Sequence, residues 1–203
     1  MKIICIGRNY VDHIKELNNA VPDEPVLFLK PDSALMNMHL PFFLPEWSND
    51  VHYEAELVLL ISHVGKNIEA RFAHRYIDQI TLGIDFTARD LQSKLKEKGL
   101  PWEKAKAFDG AAAIGKWIDY KTFATKDKIA FHLEKNGQTV QKADSSLMIY
   151  NFAKIIEDAS KYFTLKKGDI IFTGTPAGVG PVKANDTLTG FIENEQMFSF
   201  HVK

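Results

Sequence analysis

The stretch VHYEAELVLL, residues 51–60, constrains the fold of this chain more than any other segment, because two glutamates interrupt an otherwise apolar run. Its valine, leucine and tyrosine residues predict a buried β-strand. Successive side chains of a strand point to opposite faces, so Glu54 and Glu56 are expected on the same face. A buried carboxylate costs free energy unless a cation or hydrogen bonds compensate it, so this strand requires charged or polar partners from elsewhere in the chain.

The remaining segments predict a strand-rich α+β fold with a few short helices. Short apolar runs bounded by glycine, proline or charged residues indicate strands in KIICIG, PVLFLK, TLGIDF, DIIFTG, TLTGFIE and MFSFHV. Helices are predicted at residues 8–19, with Asn9 as the N-cap, and at residues 69–80, 87–99 and 147–163. Asn136 and Gly137, between two alternating runs, predict a two-residue hairpin. Because strands and helices do not alternate regularly, a doubly wound sheet is not expected.

Length, composition and charge limit the classes of function. With 203 residues, 45% of them hydrophobic, the chain is expected to form a single domain over residues 1–203. Lysine plus arginine number 25 and aspartate plus glutamate 26, so charge gives no reason to expect a nucleic-acid partner. The one cysteine, Cys5, lies in an apolar run and predicts a reducing, cytoplasmic location. No run reaches the roughly 18 apolar residues of a membrane span, and the N-terminal apolar run is too short for a signal peptide.

A third acidic residue has the same kind of apolar surroundings as the two glutamates. Asp85 lies in GIDFTARD, where Gly83, Ile84 and Phe86 flank it. Two like charges on one strand face repel each other, and a divalent cation would make their proximity favourable. A site of three carboxylates suits Mg²⁺ or Mn²⁺ far better than Zn²⁺. The alternative, which spacing alone leaves open, is a solvent-facing strand surface with ordinary acidic residues.

Six separated motifs follow one another along the chain: GRNYVDHIKE, EPVLFLKP, HYEAELV, GIDFTARDLQ, GLPWEKAKAFDG and GDIIFTGTPAGVGPV. In this order they resemble the fumarylacetoacetate hydrolase family, and within it the short single-domain acylpyruvate hydrolase and oxaloacetate decarboxylase type. The resemblance runs from Lys2 to about Asp186. It implies a mixed β-sandwich or β-roll core, a homodimer, and a Mg²⁺ or Mn²⁺ ion held by Glu54, Glu56 and Asp85.

The resemblance also implies catalytic residues. His13 and Glu16 match the catalytic pair that the family carries on a short helix closing over the site as a lid. A carboxylate beside an imidazole fixes its tautomer and raises its basicity, as a general base requires. Lys106, in AKAF, matches the family's active-site lysine, whose charge would stabilise an enolate. Without the resemblance, a histidine and a glutamate one turn apart, such as His13 and Glu16, are more often a surface pair, and most lysines like Lys106 are simply exposed.

Four further residues match positions that bind substrate in the family. Arg89 and Gln92 are three residues apart on a predicted helix, so both could face the metal, one binding a substrate carboxylate and the other orienting water or a keto oxygen. Lys30, in FLKP, and Thr175, in the glycine-rich loop, are further substrate-binding candidates. Arg8 ranks below Lys30, because an arginine after a glycine suits a structural ion pair. The alternatives are a solvated helix face, structural ion pairs and an ordinary turn.

The reaction that the resemblance implies is hydrolysis of a carbon–carbon bond in 2,4-dioxo acids (acylpyruvates), giving pyruvate and a carboxylic acid through an enolate stabilised by the metal. His13, assisted by Glu16, would deprotonate the attacking water. Oxaloacetate decarboxylation would need no water, and isomerisation or tautomerisation of 2-hydroxy-diene-dioates, such as 2-hydroxyhepta-2,4-diene-1,7-dioate, is a further alternative. A binding protein on the same fold and a zinc hydrolase are weaker alternatives, because His13, Glu16 and Lys106 are intact and zinc sites use histidine or cysteine.

Overall fold

The computed structural model describes residues 1–17, 20–123 and 125–203. The strands are β1 Ile3–Gly7, β2 Val26–Lys30, β3 Val51–Tyr53, β4 Ala55–Ile61, β5 Ile77–Asp85, β6 Thr87–Ala88, β7 Ala112–Ile114, β8 Ile118–Asp119, β9 Ala130–Lys135, β10 Gln138–Asp144, β11 Ile170–Phe172, β12 Gly180–Pro181, β13 Thr187–Ile192 and β14 Glu195–His201. The α-helices are α1 Val11–Glu16, α2 Arg89–Glu97, α3 Glu103–Lys106 and α4 Phe152–Tyr162. Short 3₁₀ segments occur at Asp32–Ala34, Ala70–Tyr76, Tyr120–Phe123 and Ser145–Leu147.

Three sheets form the framework of the described residues. The largest has the order β2-β1-β11-β4-β5-β7, with β8 also paired to β5. It is mixed, because β1 and β11 run parallel while its other pairs are antiparallel. A second sheet has the order β10-β9-β13-β14, and a small third sheet has the order β12-β3-β6. This strand-rich mixed architecture confirms the predicted fold class.

The core lies between the large sheet and the four-stranded sheet. The alternating residues Leu57 and Leu59 of β4 and Leu82 of β5 are fully buried on the large sheet. They belong to the same apolar cluster as Leu133 of β9 and Leu188 of β13 from the other sheet. Two apolar faces packed in this way remove large areas from water, which is the main favourable contribution to folding. The rigid edge of this core positions the ends of β4 and β5, where the acidic residues lie.

Several local predictions are confirmed. Asn136 and Gly137 connect β9 and β10 as a hairpin, and both have positive φ, of 54° and 77°, as a type I′ turn requires. The helix predicted at 147–163 is α4, which begins after Asn151, whose side chain accepts a hydrogen bond of 3.0 Å from the backbone N–H of Lys154.

Three other local predictions are wrong in detail. Residues 77–80 belong to β5 rather than to a helix, because Ile77 and Ile80 are buried on a strand and only Ala70–Tyr76 is helical, as a 3₁₀ segment. Helix α2 begins at Arg89, since Thr87 and Ala88 pair with β3. Asn9 does not cap α1: its buried side chain binds the backbone of Tyr150 and Thr173. The predicted helix end at 18–19 lies outside the described residues.

Within the part of the chain that the structure describes, no helix has the length and apolar character needed to cross a membrane.

Candidate active site

Three acidic side chains meet where β4 begins and β5 ends. Glu54 lies between β3 and β4, Glu56 is the second residue of β4, and Asp85 is the last residue of β5. The antiparallel register of β4 and β5 places Asp85 beside Glu54, whose carbonyl oxygen accepts a hydrogen bond of 2.8 Å from the Asp85 N–H. All three side chains are buried, and each offers an oxygen within 4.8 Å of the others.

Three cationic side chains form ion pairs with Glu54 and Asp85. They are Lys30, Arg89 and Lys106. Lys106 Nζ lies 2.8 Å from Glu54 Oε2 and 2.7 Å from Asp85 Oδ2. The Arg89 guanidinium also contacts Glu54. Although burial alone would raise it, Lys106 and Arg89 hold the pKa of Glu54 well below its ordinary value. The six residues Lys30, Glu54, Glu56, Asp85, Arg89 and Lys106 are called the inner cluster below.

Glu56 differs from the other two acids because it has no close cation. Among the described residues, no lysine, arginine or histidine nitrogen lies within 4.0 Å of its carboxylate. From the described residues it accepts one hydrogen bond, given by the backbone N–H of Gly174, 2.7 Å from Oε2. Gly174 has φ of +100°, and an added Cβ would lie 2.6 Å from Asn9 Cβ, so this close approach requires glycine. Burial, and then repulsion from Asp85 and Glu54, raise the pKa of Glu56 well above its ordinary value.

These observations fit a divalent cation. The ligand atoms are all carboxylate oxygens, which Mg²⁺ and Mn²⁺ prefer, and the group contains neither histidine nor cysteine. A cation among the three would supply the positive charge that Glu56 lacks. The acidic triad could therefore hold a metal ion, as the sequence predicts.

The helix α1 brings an imidazole to the same pocket. His13 is buried, and its Nδ1 lies 3.2 Å from Glu16 Oε2. Burial lowers the pKa of His13 from its ordinary value of 6.5, against the opposing effects of Glu54 and Glu16. With Nδ1 protonated and bound to Glu16, the unprotonated Nε2 can accept a proton.

Glu16 also attaches α1 to the glycine-rich loop. Its two carboxylate oxygens accept the backbone N–H of Gly178 at 3.1 and 3.3 Å. Gly178 has φ of +96°, and an added Cβ would lie 2.3 Å from the carbonyl oxygen of Val140, so only glycine fits. One carboxylate thus orients the imidazole of His13 and holds the helix against the loop.

One pocket gathers most of the residues that the sequence singled out. Besides Arg8, its lining includes eight of them: His13, Glu54, Glu56, Asp85, Arg89, Gln92, Lys106 and Thr175. The predicted spacing of α2 agrees with its structure, since Arg89 Nη1 donates a hydrogen bond of 2.7 Å to Gln92 Oε1. His52 does not line this pocket, and its Nε2 lies 2.9 Å from Asp50 Oδ1.

Lys30 lies behind the pocket instead of lining it. Its Nζ is 2.6 Å from Asp85 Oδ1 and also donates hydrogen bonds to the backbone carbonyl groups of Lys106 and Ala111. The contact with Asp85 is an ion pair and not a hydrogen bond, because Asp85 Oδ1 has no hydrogen-bond donor among the described residues. In this structure Lys30 fixes Asp85 from the side away from the pocket.

Thr175 lines the pocket, and its hydroxyl is hydrogen-bonded to other residues of the protein. Thr175 Oγ1 donates to the carbonyl oxygen of Ala55 and accepts from Gln141 Nε2, both at 2.9 Å. The buried Gln141 completes this arrangement by accepting the Ala55 N–H through Oε1 at 2.9 Å. Sequence reasoning missed Gln141, and no local pattern could have found it, because its partners lie 86 and 34 residues away.

Two cationic residues, Arg8 and Lys96, also line the pocket and are called the outer cations below. The sequence favours a structural ion pair for Arg8, yet within residues 1–17, 20–123 and 125–203 no carboxylate oxygen lies within 4.0 Å of it. Lys96 was missed, although a signal existed: it follows Arg89 by seven residues and Gln92 by four, which places all three on one helix face.

Comparison with known proteins identifies the class to which this fold and site belong. The chain belongs to the fumarylacetoacetate hydrolase family, whose C-terminal domain model, "Fumarylacetoacetate (FAA) hydrolase C-terminal", matches residues 2–199. The resemblance stated from the six motifs is thereby confirmed.

Individual relatives are similar over nearly their whole length. Oxaloacetate tautomerase YcgM of Escherichia coli strain K12 is 40% identical over 189 residues, which cover 93% of this chain and 86% of that protein. The mitochondrial oxaloacetate tautomerase FAHD1 of Mus musculus is 39% identical over 201 residues, covering 99% and 91%. The crystal structure of fumarylpyruvate hydrolase from Pseudomonas aeruginosa, in complex with Mn²⁺ and pyruvate, superposes with a TM-score of 0.93 at 33% identity, covering 100% of this chain and 89% of that one. These relatives are all enzymes.

Proposed function

We propose that this chain is an enzyme that interconverts the keto and enol forms of oxaloacetate, with Mg²⁺ or Mn²⁺ bound by Glu54, Glu56 and Asp85. The observation that carries the proposal is that a buried imidazole and a buried triad of carboxylates line one pocket. The relatives at about 40% identity are named oxaloacetate tautomerases, which supports this substrate. The Mn²⁺ in the fumarylpyruvate hydrolase crystal supports a divalent metal, and leaves Mg²⁺ as the other candidate for this chain.

The metal, when bound, would act as a Lewis acid that polarises the keto oxygen of the substrate and favours negative charge there. Tautomerisation moves one proton from carbon 3 to the oxygen on carbon 2, or the reverse, and breaks no carbon–carbon bond. His13 would be the base that exchanges the carbon 3 proton, because its Nε2 is unprotonated when Nδ1 donates to Glu16. Glu16 would hold the imidazole in this tautomer.

The other residues of the pocket would bind and orient the substrate. Lys106 would stabilise the negative charge that develops on the oxygen of carbon 2, since its ammonium group lies between Glu54 and Asp85 at the site. Arg89 and Gln92, joined by a hydrogen bond, would bind the carboxylate next to the keto group. Thr175 would contribute its backbone N–H to the same carboxylate. Lys30 would act on the substrate only through Asp85.

Hydrolysis of acylpyruvates, the main expectation from the sequence, is the second candidate. It is favoured by the close superposition with fumarylpyruvate hydrolase and by the same His13–Glu16 pair, which could deprotonate a water molecule as readily as carbon 3. Decarboxylation of oxaloacetate would share the polarised keto oxygen and would not need His13 as a base for water. Isomerisation of longer 2-hydroxy-diene-dioates would repeat the proton transfer on a longer substrate.

We further propose that the chain acts as a cytoplasmic homodimer built from one catalytic domain over residues 1–203. Leu40, Phe43 and Trp47 are more than half exposed on one short segment, and a second copy of the chain would remove this apolar surface from water. The buried free thiol of Cys5 suits a reducing compartment. Light scattering on the purified protein tests the dimer, for which the expected mass is twice 23.0 kDa.

The decisive experiment uses purified protein with MgCl₂ or MnCl₂ and makes two measurements. Ultraviolet absorbance follows the enol form of oxaloacetate, and NMR identifies the products. Tautomerisation predicts a metal-dependent loss of the enol signal that is faster than the formation of pyruvate. Acetylpyruvate, offered separately, would give acetate and pyruvate if hydrolysis is the main reaction. If the protein with metal did not increase the rate at which the enol signal is lost, the proposed reaction would be refuted.

A further inference from the structure

The outer cations Arg8 and Lys96 have positive charge that the described protein residues do not compensate. No carboxylate oxygen of residues 1–17, 20–123 or 125–203 lies within 4.0 Å of either side chain. Arg8 Nε is buried and has no hydrogen-bond partner in the described part of the chain. Lys96 Nζ lies 5.5 Å from the centroid of the Trp102 ring. This cation–π interaction is weaker than an ion pair with a carboxylate. Both side chains line the pocket that contains the inner cluster.

The two outer cations and Arg89 repel one another. Burial, and then the positive charges of Arg8 and Arg89, lower the pKa of Lys96 to about 8. Arg89 is paired with Glu54, but the outer cations have no carboxylate partner among the residues that the structure describes. The backbone of Arg8 has φ of 59°, a left-handed conformation that is uncommon for residues other than glycine. Like charges held together without compensation indicate a place for a bound anion.

The direction of α2 relates the outer cations to the inner cluster. Arg89, Gln92 and Lys96 lie on one helix face, and seven residues of α-helix rise about 10 Å. The face therefore runs from Glu54, which Arg89 contacts, towards the half-exposed Lys96. A molecule held at the inner cluster by one end would extend along this face towards the outer cations.

The pocket wall between the two ends is aromatic. Phe28 and Trp102 both line the pocket, and their ring centroids are 6.0 Å apart. Lys106 Nζ of the inner cluster lies 5.3 Å from the Phe28 ring, while Lys96 Nζ of the outer cations lies over Trp102. These rings provide an apolar surface for the carbon chain of a ligand whose two ends are charged.

On the basis of the proposed function, we propose that Arg8 and Lys96 bind the second carboxylate of a dicarboxylic 2-oxo acid, and that they select such dianions over 2-oxo acids with an uncharged end. The first carboxylate and the keto group would occupy the inner cluster. Arg8 and Lys96 are then specificity residues, remote from the proton transfer, and they define the substrate class of the pocket.

The test is calorimetric binding of two probes to the Mn²⁺-loaded protein. 2-Oxoglutarate and 2-oxopentanoate have the same chain length and differ only in whether the far end is a carboxylate or a methyl group. The wild type is expected to bind 2-oxoglutarate at least about tenfold more tightly, as a charged hydrogen-bonded contact provides. Arg8→Gln and Lys96→Gln should each reduce this preference by about tenfold while leaving the affinity for 2-oxopentanoate within about twofold.

Matched variants separate a local contact from a general charge effect. Lys94→Gln removes the same charge from an exposed position on α2 and should keep the wild-type preference. Arg8→Lys keeps the charge at the unusual backbone position and should restore part of the preference if Arg8→Gln folds poorly. Equal binding of the two probes by the wild type, or an equal loss for both probes in Arg8→Gln and Lys96→Gln, would overturn the inference.

Binding is measured without turnover, so the two proposals can fail separately. A charge-dependent preference for 2-oxoglutarate in a protein that does not convert oxaloacetate would support the carboxylate site and refute the tautomerase. Conversion of oxaloacetate without any preference between the probes would support the tautomerase and overturn the role of Arg8 and Lys96.

Discussion

The two ends of the pocket carry opposite imbalances of charge. At the inner cluster, Lys106, Arg89 and Lys30 pair with Glu54 and Asp85, and Glu56 remains a carboxylate without a close cation. At the outer end, Arg8 and Lys96 are cations without a carboxylate within 4.0 Å among the described residues. The protein framework thus provides for a cation at one end and for an anion at the other. A metal ion and a dianionic substrate together would satisfy both.

Replacing Glu56 should have the largest effect, because it removes the one inner carboxylate that lacks a cation. Glu56→Gln is expected to weaken Mn²⁺ binding and to lower activity, each by more than about a hundredfold. The variant without metal should melt at or above the wild-type temperature, since a neutral amide is not repelled by Asp85 and Glu54.

Electron paramagnetic resonance titration with Mn²⁺ and thermal melts in EDTA measure the two effects. Glu69→Gln, an exposed glutamate, is the matched control and should behave like the wild type. Unchanged Mn²⁺ affinity in Glu56→Gln would show that the carboxylate of Glu56, which lacks a close cation among the described residues, does not bind the metal.

His13→Ala should reduce kcat by about a hundredfold to ten-thousandfold, because the proton acceptor of the pocket is lost. Burial lowers the pKa of His13 from 6.5, so the wild-type enzyme should keep its activity below pH 6.5 and lose it only as pH falls through that lower pKa, when the imidazole becomes protonated. Initial rates of enol decay between about pH 5 and pH 8 measure both.

His74→Ala, which removes an exposed histidine, controls for general effects of the substitution. If the activity of His13→Ala still decreased at low pH in the same way as that of the wild type, the proton transfer would have to be assigned to another group.

Replacing Lys30 tests whether this residue of the inner cluster stabilises the fold or binds the substrate. Lys30→Met is expected to lower the free energy of unfolding by about 3 kcal/mol, because it removes one partner of a buried ion pair with Asp85. Urea denaturation measures this change, and Lys154→Met, at an exposed pair with Glu157, should cost less than about 1 kcal/mol. A stable Lys30→Met variant with weakened substrate binding would instead support the direct contact that the sequence predicts.

The smallest expected effect is the pH dependence of ligand binding at the outer cations. The pKa of Lys96 is about 8, set by burial and by Arg8, Arg89 and Lys106 against Glu54. As pH rises through this value the ammonium group loses its proton, so 2-oxoglutarate should bind less tightly, by up to about tenfold. A bound carboxylate favours the charged lysine, so the decrease for the complex should begin above pH 8.

Binding of 2-oxopentanoate should show no such decrease, and Lys96→Gln should remove the decrease for 2-oxoglutarate. Calorimetric titrations at a series of pH values measure it. A parallel decrease for both probes would place the titrating group at the inner cluster instead.

Sequence patterns predicted the parts of the site that depend on local periodicity. The single strand predicted over residues 51–60 is divided at Glu54 into β3 and β4, although Glu54 and Glu56 both line the pocket. Helical spacing placed Arg89 with Gln92, which are hydrogen-bonded in the structure. The family resemblance added His13, which no spacing rule could have separated from a surface histidine. The strand-rich fold followed from short apolar runs and turn residues.

Long-range contacts could not be predicted in this way. Lys30 forms an ion pair with Asp85 and donates hydrogen bonds to two carbonyl groups 76 and 81 residues away, so a role at the substrate could not be distinguished from a role behind Asp85. Arg8 suggested a structural ion pair, yet the fold brings no carboxylate of the described residues within 4.0 Å of it. Both depend on which distant segments meet, and one sequence contains no periodic signal of that.

The most direct measurement is the crystal structure of the protein soaked in MnCl₂ and 2-oxoglutarate, in which an anomalous difference map locates Mn²⁺ and an ordinary difference map locates the ligand. The predicted result is one Mn²⁺ peak within bonding distance of Glu54, Glu56 and Asp85, with the far carboxylate of the ligand at Arg8 and Lys96. A Mn²⁺ peak elsewhere, or no peak at the three carboxylates under conditions in which the enzyme is active, would contradict the assignment of the inner cluster as the metal site.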